Sequence, residues 1–169
     1  MTPMRTTIEH NLDQLLQVEE LLRQLPDEEL AAQRTLLFGS SIGQHLRHII
    51  EYYDCLLRQQ GTGLVSYDRR ERNPLIETRV AVARDMTYRC MHTLGTLEAD
   101  RRLEMESELP GADCLVQQTT SLLRELTYVA DHCVHHLAMV RIVMEQELAH
   151  LTFPDHLGVA AATRNYHAR

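Results

Sequence analysis

Apolar residues recur at spacings of three, four and seven along most of this chain, the signature of helices with one buried face. The first such stretch runs from about Ile8 to Gln24, with Ile8, Leu12, Leu15, Leu16 and Leu22 on one side, and Pro26-Asp27 ends it. A second starts at "SSIGQHLRH", where Ser41 and Gln44 fit an S-x-x-Q capping box, and continues to about Gln59 before Gly61 stops it. The third opens at Asn73-Pro74, with asparagine as cap and proline at the first helical position. Its stripe is Ile76, Val80, Ala83, Cys90, Leu94 and Leu97. The fourth begins near Thr120 or Ser121 and reaches about His150, and Pro154 bars much continuation.

Between these stretches the pattern lapses. "GTGLVSYDRRERN" is a polar loop, residues 98–118 lose the helical period, and "LPGAD" within them reads as a turn. The tail "GVAAATRNYHAR" predicts a short terminal helix. Four amphipathic helices predict an all-α fold, a four-helix bundle forming a single domain over residues 1–169. Its second and third connections are long, so at least one is expected to cross an end of the bundle.

Composition agrees. Seven glycines and five prolines are too few for a turn-rich β fold, and 44% apolar with 24% charged residues is enough for one well-filled core. The net charge of −7 has the wrong sign for gripping phosphate backbones, so nucleic acid is not an expected partner. "MTPMRTTIEHNLDQ" lacks the apolar core of a signal peptide, and no run approaches the ~20 apolar residues of a membrane span. A soluble, cytoplasmic protein without membrane contact is expected. Cys55, Cys90, Cys114 and Cys133 form no C-x-x-C pair and read as reduced thiols.

The chemistry lies in the histidines. "DHCVHHLAMV" holds three of them in an otherwise apolar stretch. His132 and His136 are four apart, which stacks them on one helical face. Relative to the apolar centre of the fourth helix, His136 lies roughly 50° away, His132 roughly 90° and His135 roughly 150°. The first two flank the core, and His135 faces outward. Such a pair either hydrogen-bonds at the core boundary or grips a metal ion with a third ligand. The second helix offers His45 and His48. His45 sits nearer its apolar centre (Ile42, Leu46, Ile49, Tyr53, Leu56), so periodicity favours His45. Three imidazoles with an open position make a catalytic zinc pattern, whereas structural zinc sites are closed by four protein ligands. Asp131 and Glu51 are candidate acceptors for the outer ring nitrogens. The H-E-x-x-H protease motif is absent, because Cys133 stands where its glutamate belongs. The loop residues Tyr67, Arg70 and Arg72 are candidates for a substrate pocket, since arginine binds carboxylates through a two-pronged fork. The alternative for that loop is a solvated surface. Glu77 favours a helix N-terminus, and Cys133 reads as core packing. No general base is identifiable.

"SIGQHLRHI" followed by "RELTYVADHCVHHLAMV" resembles the DinB-like family of metal-binding four-helix bundles. The resemblance extends to "YDRRERNPLIET" and "FPDHLGVAAATRNY". It implies a metal site of one histidine on the second helix and an H-x-x-x-H on the fourth, falling on His48, His132 and His136. His45 then takes a place where the family has an apolar residue, and is core, pocket or substitute ligand. The implied ion is divalent, zinc first, with nickel, iron or manganese as alternatives. The implied activity is that of a metal-dependent enzyme acting on a small-molecule substrate, of hydrolase or S-transferase type, a low-molecular-weight thiol being the co-substrate in the latter. The rival is a non-catalytic metal-binding or structural bundle. The resemblance, with Leu123, Val134 and Ile142 outside the main stripe of the fourth helix, also points to a homodimer.

Overall fold

The structure, a computed structural model, describes residues 2–111 and 114–167. Helix α1 (Pro3–Leu22) begins several residues before the apolar stripe, because Thr2 accepts the amide of Arg5 (3.3 Å) and Pro3 occupies the first turn. Met4 is the one buried side chain of that added turn, too little to carry a period. Leu16, assigned above to the inner stripe, is 45% exposed. A short helix α2 (Asp27–Ala31) and a tight turn through Thr35–Leu37 lead into α3 (Ile42–Gln59). The capping box that starts α3 is formed: Ser41 Oγ accepts from Gln44 N (3.0 Å), and Gln44 Oε1 accepts from Ser41 N (3.2 Å).

The expected third helix is two. Asn73 Oδ1 accepts the Leu75 amide (3.0 Å) and starts α4 (Leu75–Thr78) as the sequence implies. Arg79 then turns extended (φ −130°, ψ 106°), and α5 (Val80–Gly95) begins afresh. The Val80 amide exposed by this break is taken by Asp27 Oδ1 (2.8 Å), a cap supplied from a remote part of the chain. Periodicity cannot see such a break, because Ile76, Val80 and Ala83 keep helical spacing across it.

The purely helical expectation needs one correction: among the described residues the fold is predominantly helical, with a small sheet. Strand β1 (Leu64–Val65) pairs parallel with β2 (Arg102–Ser107), which pairs antiparallel with β3 (Val116–Ser121) in the register Leu103↔Thr120, Met105↔Gln118. The strands occupy the two connections left as loops. They were hidden because β3 is almost wholly polar and β2 buries only Leu103 deeply among its apolar residues. Pro110 and Gly111 form the predicted turn, Gly111 with φ +80°; Ala112 and Asp113, the rest of "LPGAD", lie outside the described residues.

Strand β3 runs straight into α6 (Leu122–Glu147). Of the four long helices, α1 and α3 each pack against α5 and α6, around a core that includes Leu15, Leu46, Ile49, Tyr53 and Leu137. No helix among the described residues is long and apolar enough to cross a membrane. The chain then returns across α6, where Arg141 donates to the carbonyls of Asp155 (2.7 Å) and Leu157 (3.2 Å), and ends in the exposed helix α7 (Ala161–His167). Val134 is buried within the chain and Leu123 packs on the core, so of the three residues that motivated a dimer Ile142 alone is exposed, at 51%.

Gly43 lets α3 approach α4. A Cβ there would collide with the Glu77 carbonyl oxygen and meet the Leu30 carbonyl oxygen at 2.9 Å, both backbone atoms. Gly43→Ala is therefore expected to destabilise by about 1–3 kcal/mol, as overpacking does. Gly61→Ala, with open space around it, should stay within about 0.5 kcal/mol of the parent. Urea unfolding of both variants checks the pair; equal stabilities would contradict the close approach.

Candidate metal centre

Helix α3 carries His48, and one face of α6 carries His132 and His136. One ring nitrogen from each of the three lies within 4.8 Å of the other two. The ring centroids are 5.0 Å apart for His48–His132, 4.6 Å for His48–His136 and 4.7 Å for His132–His136. His135 is exposed, as the wheel requires, with its ring edge-on to that of His136 at 5.5 Å and outside the group of three. The donor set, three nitrogens without a carboxylate, suits zinc. His132 Nε2 is buried without a hydrogen-bond partner. Several other buried side-chain atoms among the described residues share that state, but this one belongs to the histidine group, where a cation would satisfy it.

Burial holds all three imidazoles neutral. The pKa of His136 is lowered to about 3, first by burial and then by the positive charge that His48, His132 and His45 would share with it. That of His48 is lowered to about 4, first by burial, then by His132 and by the guanidinium groups of Arg70 and Arg47. His132 is lowered too, by burial and then by His135 and Arg70. Neutral imidazole is the form that binds metal.

The group takes in His48 and not His45, the residue that periodicity favours. His45 is buried, as the wheel indicated, and stands against His136. Its Nδ1 lies 2.9 Å from His136 Nδ1. Neither proposed carboxylate acceptor serves. Asp131 is exposed. Glu51 is buried but engaged elsewhere: it accepts the Asn73 amide (2.8 Å) and faces Arg47 (3.7 Å) and Arg70 (3.5 Å).

Beside the histidines lies a cavity of about 270 Å³ walled by Tyr52, Tyr67, Tyr128 and Arg124, with Met105 and Ser107 contributed by β2. Tyr52 links it to the histidine group, its ring 4.4 Å from that of His132 and 4.5 Å from that of His48, and it stacks on Tyr67 at 4.9 Å. Tyr67 donates to the buried carboxylate of Glu125 (2.9 Å), which also accepts from Thr120 (2.7 Å). Burial and that carboxylate push the Tyr67 hydroxyl far above the usual phenol range. Arg70 lies over the Tyr52 ring, 5.1 Å from its centroid, with Nη2 3.4 Å from His48 Nδ1. Neither arginine proposed for the pocket lines it: Arg70 stands against Tyr52 and His48, and Arg72 is exposed. Glu77 pairs with Arg47 (2.6 Å), and Cys133 is core, its thiol pushed up by complete burial. None of the three histidines lines this cavity, nor the more open cleft between Arg23 and Phe153.

Tyr52, Tyr128, Arg124 and Glu125 were not found by sequence reasoning, although a signal for the tyrosines existed. Tyr52 follows His48 by four residues, and Tyr128 precedes His132 by four. Extending each ligand face by one helical turn finds both.

The family profile of the DinB superfamily matches residues 13–140, a span that includes the whole histidine cluster, and the chain belongs to that superfamily. No curated protein and no solved structure gives a match.

The depressed histidine pKa values make a stability prediction for the metal-free protein. Above the unfolded imidazole pKa of about 6.5, neither state carries these protons and their contribution to stability is intact. Below it the unfolded chain takes up protons that the folded chain refuses, so stability is lost as pH falls from about 6.5 toward the folded values of about 4 and 3. Melting temperatures in chelator should fall through this window, and less steeply for His136→Gln. Identical slopes for parent and variant would contradict the assignment.

Proposed function

We propose that the chain is a divalent-metal-dependent enzyme in which His48, His132 and His136 hold the ion, zinc by preference, and the adjoining tyrosine-lined cavity receives a small-molecule substrate. The observation that carries this reading is the convergence of three neutral imidazoles, one with an orphaned nitrogen, against Tyr52, whose other neighbours wall a cavity. We read α1, α3, α5 and α6 as the four-helix bundle that displays these ligands. When bound, the ion would act as a Lewis acid that activates a water or a thiol, the chemistry of hydrolases and S-transferases.

The chain's own groups divide the remaining work. Tyr52 and Tyr128 exclude water from one side of His132 and present ring faces to the cavity. Arg124, at the mouth, lies 5.3 Å over the Tyr128 ring and offers a cation to an anionic substrate group. Arg70 offers a second cation beside His48. Tyr67 stays protonated at every relevant pH, because burial and then the Glu125 carboxylate hold its proton; it orients its neighbours and does not serve as a base. A non-catalytic, structural metal site would call for a closed set of four protein ligands. Three histidines beside a cavity favour the catalytic alternative.

If the ion binds only the folded chain, it stabilises that chain by about 2.7 kcal/mol at a hundredfold excess over its dissociation constant. His136→Ala is expected to abolish most of this gain, and His135→Ala to leave it nearly intact. Thermal melts of both variants, with zinc and with chelator, decide the matter. Equal loss in the two would contradict the ligand assignment. Azide or a small thiol should perturb the spectrum of the cobalt-loaded protein, and an inert spectrum would favour the structural reading.

A further inference from the structure

We propose that His45 is a positioning residue: it accepts a hydrogen bond from His136 Nδ1 and so commits His136 to bind metal through Nε2. The inference rests on the metal reading given above and concerns a residue outside the ligand group. The two Nδ1 atoms are 2.9 Å apart, and His45 is buried to 8% exposure. Two imidazole nitrogens at that distance share one proton, so one ring donates and the other accepts. With Nδ1 of His136 engaged, only its Nε2 is left for an ion. A ligand nitrogen must offer a lone pair, so the proton of neutral His136 has to reside on Nδ1. His136 therefore donates, His45 Nδ1 accepts, and His45 keeps its own proton on Nε2.

Metal-bound histidines usually give this outer hydrogen bond to a carboxylate or a backbone carbonyl. Here the nearby carboxylate of Glu51 is held by Asn73, Arg47 and Arg70, and Asp131 is on the exposed face of its helix. A neutral imidazole takes the place of an anion. The ion's charge is then uncompensated by this partner, which keeps the ion a stronger Lewis acid than a carboxylate partner would allow. His45 and His48 are three apart on α3, so the segment that supplies a ligand to the cluster also sets the tautomer of His136 on α6.

The test combines nitrogen NMR of histidine-labelled protein with zinc affinity measured against a chromophoric chelator. In the zinc-loaded parent, His136 should carry its proton on Nδ1 and show a metal-shifted Nε2, while His45 shows a protonated Nε2 and an unshifted, hydrogen-bonded Nδ1. His45→Leu should weaken zinc binding by roughly 10–100-fold, the usual cost of losing such a partner. His45→Asn places a carbonyl oxygen where Nδ1 was and should recover most of that loss. Zinc on His136 Nδ1, or on either nitrogen of His45, would overturn the proposal. So would His45→Leu binding as tightly as the parent, or His45→Asn binding as weakly as His45→Leu, which would reduce His45 to packing. A parent protein that binds no zinc overturns the metal reading itself. Normal parent affinity with no effect of His45→Leu overturns only the role of His45.

Discussion

Helices α3 and α6 lie side by side, and the candidate site depends on that pairing because each contributes imidazoles that mean little alone. His132 and His136 share one face of α6 whatever surrounds them, but His48 reaches them only if α3 holds its axial position. Two local devices fix it. The capping box of Ser41 and Gln44 starts the helix one turn before His45. Gly43 then lets the helix approach the backbone at Glu77 and Leu30 more closely than a side chain would allow. The start of α6 is fixed in turn by the sheet: Ser121, the last residue of β3, caps the first turn (3.3 Å), and Asp100 Oδ1 takes the Leu123 amide (2.8 Å). The hairpin thus sets where the α6 face begins, and β2 also walls the cavity beside it.

Negative charge is kept away from the three imidazoles. The buried acids nearby are already engaged, Glu51 by Asn73, Arg47 and Arg70, Glu125 by Tyr67 and Thr120. The cationic groups that remain, Arg70 and Arg47, depress His48 further. The outcome is a donor set that is neutral at ordinary pH and purely nitrogenous. Such a set favours zinc over ions that prefer oxygen, and it leaves a bound cation electrophilic.

Much of this was legible in the sequence because helices announce themselves by period and cap. The Ser41–Gln44 box, the Asn73 cap and the outward direction of His135 follow from local rules alone. The break at Arg79 was not legible, since the apolar spacing runs through it and the compensating acceptor, Asp27, is distant in the chain. Nor was the sheet, because polar β3 lacks an alternating apolar face. The choice between His45 and His48 shows the limit of a helical wheel. A wheel ranks residues by depth, and the ring grouped with His132 and His136 is that of half-buried His48 and not of the deeper His45. The resemblance to the DinB-like family, not periodicity, pointed to His48.

The central claim is that three imidazoles share one ion, and X-ray absorption at the zinc edge of protein loaded with one equivalent tests it most directly. Three imidazole nitrogens are expected at about 2.0–2.1 Å, with the multiple scattering of histidine rings and at least one further light-atom donor. A sulfur shell near 2.3 Å, or a spectrum of zinc surrounded by water oxygens alone, would contradict it.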